Sequence, residues 1–183
     1  MSTLNRLSAG LPLGDGATIP WFIEFHHCES LGGKLNPGDG VYRSVDFGER
    51  MFLNELRATV SLSFYWPTPE FQIRPVGSIN SEVEAFNICF GPTVTAFGPP
   101  TKFAKDEHYP SAFWKDGPIE VKLGVGNRFT DYFTFSISHE DWRNDYLNKM
   151  IRRRTRTRYL FRVVLPIGML AAITVVAATR CAA

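Results

Sequence analysis

The sequence predicts a mainly β head, built as an antiparallel β-sandwich or small barrel, followed by a basic amphipathic helix that continues into one C-terminal transmembrane helix. Three observations support this prediction. Residues 19–137 contain about eight short segments with a two-residue apolar period. A basic run follows these segments, and an uncharged apolar stretch follows the basic run. With 183 residues, 44% of them hydrophobic, the chain suffices for one globular core.

The clearest predicted strand covers residues 57–66, where apolar and polar side chains alternate. Similar two-residue periods occur at residues 21–25, 41–47, 71–76, 83–90, 92–97, 119–125 and 132–137. Turn-forming residues separate most of these segments, and a short helix is expected only near residues 49–56. Strands joined by turns with little helix between them favour an antiparallel sheet.

The first 18 residues show no core pattern, so we expect an extended N-terminal segment that follows the head or a partner. They also lack the continuous apolar stretch of a secretory signal, which disfavours secretion. The β-rich head is then expected to cover residues 19–137.

The charges divide the chain into an acidic and a basic part. Residues 1–148 contain all 18 acidic residues and 12 basic ones, a net charge of −6. Residues 149–183 contain eight basic residues and no acidic residue. This asymmetry is typical of a protein that lies at a membrane surface.

Residues 138–158 are expected to form a basic helical neck. Ser138 is predicted to cap the amide of Asp141, and an apolar stripe of Trp142, Tyr146 and Met150 recurs every four residues. The stripe is expected to dock against the head or a partner.

The basic residues around the neck are expected to contact anionic lipid headgroups. The positive-inside rule places the head on the negative side of the membrane, in the cytosol, mitochondrial matrix or chloroplast stroma. Nucleic-acid binding is the alternative reading of the basic run, but the adjoining apolar stretch already accounts for it. The residues are Lys149, Arg152, Arg153, Arg154, Arg156, Arg158 and Arg162.

Residues 159–179 are the predicted transmembrane helix, and residues 180–183 form a short tail. At a rise of ~1.5 Å per residue the segment would span ~31 Å, the thickness of a hydrocarbon core. Gly168 and Ala172 form a small-xxx-small pair where another helix can pack closely. The alternative is a core helix of the head, although a small domain has difficulty surrounding such a helix on every side.

The chain contains 25 aromatic residues, 15 of them Phe, which is a large number for a head of this size. Most are expected in the core. The surplus is predicted to form a surface for a protein partner, because exposed apolar patches usually mark interfaces. The candidates are Phe86, Phe90, Phe97, Phe103 and Phe113.

Few residues suggest chemistry. On a strand, His26 and Cys28 would face away from His27, so the cluster at residues 26–29 is not expected to bind a metal. The sequence 106–108 offers an acid and a base but no nucleophile elbow, and no phosphate-binding loop is present. We therefore expect no enzyme, no cofactor and no small-molecule substrate. The sequence neither predicts nor excludes a disulfide bond between Cys28 and Cys89.

These expectations favour a noncatalytic accessory subunit of a large organellar membrane complex, with the mitochondrial inner membrane, and a respiratory-chain or ATP-synthase type of complex, as the most plausible setting. Its partners would be membrane lipids and other subunits. The alternative is a tail-anchored adaptor or receptor on the endoplasmic reticulum or outer mitochondrial membrane, whose head binds a cytosolic partner.

Overall fold

The computed structural model describes residues 3–14, 16–38, 42–53, 56–65 and 68–159. The chain divides into two compact units, residues 1–144 and residues 145–183. Within the first unit the structure is mainly β with antiparallel pairing, which confirms the predicted class of the head.

The elements follow one another in a strand-rich order. The N-terminal part contains a first 3₁₀ helix (Thr3–Leu7), strands β1 (Gly10–Pro12) and β2 (Thr18–Pro20), and a second 3₁₀ helix (Phe25–Leu31). Next come β3 (Lys34–Asn36), β4 (Ser44–Phe52), β5 (Leu56–Tyr65), β6 (Thr68–Pro75) and helix α1 (Glu82–Phe97). The last elements are β7 (Lys102–Ala104), β8 (Ser111–Asp116), β9 (Ile119–Asn127), β10 (Asp131–His139) and helix α2 (Glu140–Tyr159).

Eight strands form one antiparallel sheet in the order β3-β4-β5-β6-β10-β9-β8-β7, and β1 and β2 pair as a separate ribbon. The arrangement differs from the predicted sandwich or small barrel. In the described ranges the sheet runs from β3 to β7, whereas a sandwich needs a second sheet against it and a barrel needs its two ends joined.

Strand alternation gives the sheet one apolar and one polar face. Leu62 in β5 lies opposite Phe71 in β6, and Phe71 lies opposite Ile137 in β10; all three are buried. The residues between them, such as Gln72 opposite Ser136, point to the other face. The core therefore lies on a single side of the sheet.

Helix α1 corrects the prediction of strands at residues 83–90 and 92–97. Ser81 is the N-cap, and its hydroxyl accepts a hydrogen bond from the N–H of Glu84 at 3.1 Å. The Glu84 carboxylate in turn accepts from the backbone N–H of Asn80 at 2.7 Å. This exchange resembles a capping box, which starts a helix by satisfying amides that have no partner within it.

One side of α1 covers the apolar face of the sheet. Its buried side chains recur with the helical period, which explains why a two-residue reading of the same segment fails. The helix ends at Gly98, whose carbonyl accepts a hydrogen bond from Trp114 Nε1 in β8 at 2.9 Å. The buried residues are Ala85, Phe86, Cys89, Thr93 and Phe97.

The N-terminal segment is part of the core, in contrast to the predicted extended segment without a core pattern. Leu7 and Leu11 are fully buried, and Leu4 and Leu13 are nearly so. Trp21 Nε1 donates a hydrogen bond to the carbonyl of Leu7 at 2.7 Å. Leucines in a turn-rich segment have no regular period, so sequence periodicity did not reveal them.

The prediction of a helix near residues 49–56 is wrong for the described residues, because β4 continues to Phe52 and β5 begins at Leu56. The β4–β5 register shifts between Asp46 and Glu49, around Gly48, which has a φ of 70°. Such a bulge adds a residue on one strand and shifts the alternation that identifies strands in a sequence.

Replacing the N-cap of α1 tests its contribution to stability. We expect Ser81→Ala to lower the free energy of unfolding by about 1 kcal/mol, because the N–H of Glu84 loses its acceptor. Urea unfolding of the full chain in mild detergent, followed by tryptophan fluorescence, measures the change. The matched control is Ser78→Ala in the preceding loop, and equal loss in both variants would contradict the assigned cap.

Candidate interaction surfaces

Helix α2 begins directly after β10, and its N-cap is His139 rather than the predicted Ser138. His139 precedes the first helical residue, and its Nδ1 accepts a hydrogen bond from the N–H of Trp142 at 3.4 Å. The predicted cap at Ser138 is wrong because Ser138 is still in β10, paired with Glu120. The N–H of Glu140 donates to the carbonyl of Pro118 at 2.7 Å, which joins the helix start to the β8–β9 turn.

A cluster of aromatic rings buries the first turn of α2 against the apolar face of the sheet. Trp142 is 3% exposed. Its ring centroid lies 6.0 Å from those of Trp21 and Phe71 and 6.2 Å from that of Phe64. The His139 ring lies 5.2 Å from that of Trp21. Edge-to-face and tilted aromatic pairs at these distances add to the stability that burial provides.

Burial lowers the pKa of His139 below its usual value, although the nearby charge of Asp141 acts in the opposite direction. The neutral ring is also the form that can accept a hydrogen bond at Nδ1. The N-cap of α2 and the packing around it therefore both favour an uncharged His139.

A network of ion pairs also connects the first turn of α2 to the head. Lys115 Nζ lies 3.0 Å from a Glu120 carboxylate oxygen and 3.2 Å from one of Glu140. Arg143 lies 3.7 Å from Glu120 and 3.8 Å from Glu140, and Lys122 lies 3.5 Å from Glu120. The first turn of α2 is therefore fixed to the head by both apolar packing and charge.

Glu120 is the centre of this network and is only 8% exposed. Burial acts to raise its pKa, but the hydrogen bond from Lys115 and the charges of Lys122, Lys115 and Arg143 together lower it. The pKa of the exposed Lys115 is raised in turn, first by its hydrogen bond to Glu120 and then by that to Glu140. Both groups are thus held in their charged forms.

The second unit begins at Asp145 and contains the rest of α2. Lys149 pairs with Asp145 at 2.8 Å, one turn apart, so this predicted headgroup contact already has an acidic neighbour. Arg152 is exposed. The helix backbone also carries Arg153, Arg154, Arg156 and Arg158, whereas Arg162 lies outside the described residues.

The predicted transmembrane helix falls almost entirely outside the described residues, which end at Tyr159, so the proposed packing pair Gly168 and Ala172 also lies there. Among the helices in the described part of the chain, none combines the length and the apolar character needed to cross a bilayer.

The predicted aromatic surface is smaller than expected. Phe86 and Phe97 are each 2% exposed and belong to the core beneath α1, which corrects their assignment to a partner surface. Phe103 in β7 is 47% exposed. It stacks on the half-buried Phe90 of α1 with centroids 5.1 Å apart, and Phe90 stacks on Phe86 at 5.3 Å. A row of stacked rings therefore leads from the core to the surface at the β7 edge.

Phe113 lies on the opposite, polar face of the sheet, where it is paired with Lys102 and Lys122. A shallow groove of about 480 Å³ runs across this face. Gly124 and Gly126 lack side chains to fill it, and the ring of Tyr132 lies over Gly126. Both glycines lie inside β9.

The two cysteines in the described part of the chain are packing residues. Cys28 and Cys89 are free thiols, and both are buried. Burial raises the pKa of Cys28 to about 11 and that of Cys89 to about 12, so neither is a thiolate near neutral pH.

The loop around His108 is organised by Asp106, whose carboxylate accepts hydrogen bonds from the backbone N–H groups of His108 and Tyr109 at 2.8 Å each.

His139 predicts a pH dependence of stability. A histidine in the unfolded chain takes up a proton near pH 6.5, whereas the folded chain resists protonation of His139. The free energy of unfolding should therefore fall as the pH decreases below about 6.5. His139→Asn keeps an N-cap acceptor without the titration, so its unfolding free energy should fall less between pH 7 and pH 5.

Denaturant unfolding at several pH values measures both slopes. His108→Asn, in an exposed loop, is the matched control and should keep the wild-type slope. An unchanged slope in His139→Asn would rule out this source of acid sensitivity.

Comparison of the chain with protein-family models, with curated proteins and with solved structures found no match.

Proposed function

We propose that the protein is a noncatalytic accessory subunit of a large organellar membrane complex, anchored by one helix and contacting other subunits through its head. The observation that carries the proposal is the order of three segments: a folded head, a basic helix, and a 16-residue stretch at 163–178 without a charge. In the proposal, α2 continues beyond Tyr159 into a membrane-spanning helix at residues 159–179.

The charges support a membrane location. Each basic residue near anionic lipid contributes on the order of 1 kcal/mol, so the run from Lys149 to Arg162 favours binding at the surface. The same run favours the negative side of the membrane for the head. We propose the mitochondrial inner membrane, with the head in the matrix. The apolar stretch contains Pro166 and Gly168, which suit it to packing with neighbouring helices of a membrane complex.

The exposed aromatic edge supports a role in protein contacts. Phe103 and Phe90 present stacked rings beside the short edge strand β7. Aromatic rings are enriched in the centres of protein interfaces, where they bury a large area with little loss of side-chain freedom. The occupant we propose is an apolar surface of a neighbouring subunit.

The membrane anchor can be tested with a charge at its centre. Leu170→Arg should disfavour insertion by about 3 kcal/mol, because arginine replaces an apolar residue in the hydrocarbon core. Extraction of membranes with alkaline carbonate should leave the wild-type chain in the pellet and release much of the variant. Ile88→Arg, an exposed position on the head, is the control and should stay in the pellet. Release of the wild-type chain would refute the anchor.

The partner surface can be tested by removing the exposed ring. Phe103→Ser should weaken the assembly by about 2 kcal/mol, a typical effect for a central aromatic contact. Native gels of membranes solubilised in mild detergent should show the wild-type chain in a large assembly and the variant partly in a small species. Phe129→Ser is the matched control, since Phe129 is 93% exposed and lies in the β9–β10 turn. Equal loss in both variants would refute the assigned surface.

The alternative function is a tail-anchored adaptor that captures a cytosolic partner. The groove on the polar face favours it, because Phe113, Tyr132 and the flanking Lys102 and Lys122 suit an acidic segment with apolar side chains. A wild-type chain that migrates as a free monomer or dimer on the same native gels would favour the adaptor over the subunit.

A further inference from the structure

Three exposed side chains converge beside the second 3₁₀ helix. The ligand atoms of Glu24, His26 and His27 all lie within 4.8 Å of one another. The Glu24 Oε2 to His26 Nε2 distance is 3.7 Å, and the two imidazole centroids are 4.1 Å apart. Two imidazoles and a carboxylate are ligands that bind zinc and related transition metals in proteins.

The local fold explains why these residues meet. A strand would have pointed His26 and His27 to opposite faces, but Phe25–Leu31 is a 3₁₀ helix with Glu24 at its N-cap. The N–H of His27 donates to the carbonyl of Glu24 at 3.0 Å, and this i to i+3 hydrogen bond forms the first turn of the 3₁₀ helix. Cys28 is fully buried, and its Sγ lies 3.6 Å from the carbonyl oxygen of Glu24, so its thiol is not among the exposed ligand atoms.

The spacing suits a small cation. With metal–ligand distances of about 2.0–2.1 Å, tetrahedral ligands lie about 3.4 Å apart. The 3.7 Å separation of Glu24 and His26 is close to this value, and the side chains are 60% and 65% exposed and thus free to adjust. The backbone beneath is held by the Ser30 hydroxyl, which donates to the carbonyl of His27 at 2.7 Å.

We propose that Glu24, His26 and His27 form a surface site for a divalent transition metal, represented by Zn²⁺, with one coordination position open. Three protein ligands leave a fourth tetrahedral position for water or an incoming donor. Glu24 and His27 also border a groove of about 530 Å³ lined by Trp21, Phe22 and Leu31. A donor group held in this groove would lie beside the Glu24 and His27 ligands.

Titration calorimetry with ZnCl₂ tests the site on the full chain, purified in detergent without a histidine tag. We expect one Zn²⁺ per chain. His26→Ala, His27→Ala and Glu24→Gln should each weaken binding at least about tenfold, because each removes one of three ligands. His108→Gln, an exposed histidine elsewhere on the head, is the matched control and should bind as the wild type does.

Cobalt provides a second readout that does not depend on heat signals. Co²⁺ bound at the site should give visible absorption bands of a low-coordinate nitrogen and oxygen environment, and Zn²⁺ should abolish them. Circular dichroism checks that the variants are folded. The proposal is overturned if the wild-type chain binds no stoichiometric Zn²⁺, if the His26→Ala/His27→Ala double variant binds as tightly as wild type, or if Glu24→Gln leaves the affinity unchanged.

Discussion

The head depends on covering the single apolar face of its eight-stranded sheet. Three separate parts of the chain provide the cover: the N-terminal part through Trp21, helix α1 through Phe86 and Phe97, and the first turn of α2 through Trp142. Each buried apolar side chain of this size contributes roughly 1.5–3 kcal/mol, so no one part suffices alone. The Phe52 and Phe135 rings, from β4 and β10, also meet at 5.7 Å although two strands lie between them. The sheet is therefore concave toward its cover.

This arrangement makes the start of the basic helix a part of the core. Trp142 packs against Trp21 and Phe71, and the His139 ring contacts the Trp21 and Phe22 rings while it caps the helix. The Glu120 network adds charged contacts to the same turn. Pairs of this kind are individually weak when exposed, but Glu120 is buried among three cations and would be costly to leave unpaired. Loss of packing at this turn and loss of the helix start are therefore coupled.

The sequence predicted the central strands because their alternation is long and regular, as in β5, where Val60, Leu62 and Phe64 are buried. It failed for α1 because Val83, Ala85 and Glu84 alternate over a few residues, and a short apolar run does not distinguish a strand from a buried helix. The Ser81–Glu84 capping pair was the available signal. Surface assignments failed for Phe86 and Phe97, since exposure depends on which distant element covers a residue. The meeting of Glu24 with His27 depended on a 3₁₀ helix where a strand had been expected.

The geometry of the sheet also limits how a partner can bind. Both edge strands, β3 and β7, have three residues, and each contains a lysine, Lys34 or Lys102. Short, charged edges discourage the addition of another strand, because few backbone groups can pair and a lysine must be desolvated. The apolar face is already covered. An apolar partner would therefore contact side chains at the β7 edge instead of pairing with its backbone. At this edge the Phe103 ring continues the stack that begins with the buried Phe86. Since Phe90 holds that ring in place, little side-chain freedom remains to be lost on binding, which favours Phe103 as the centre of a protein contact.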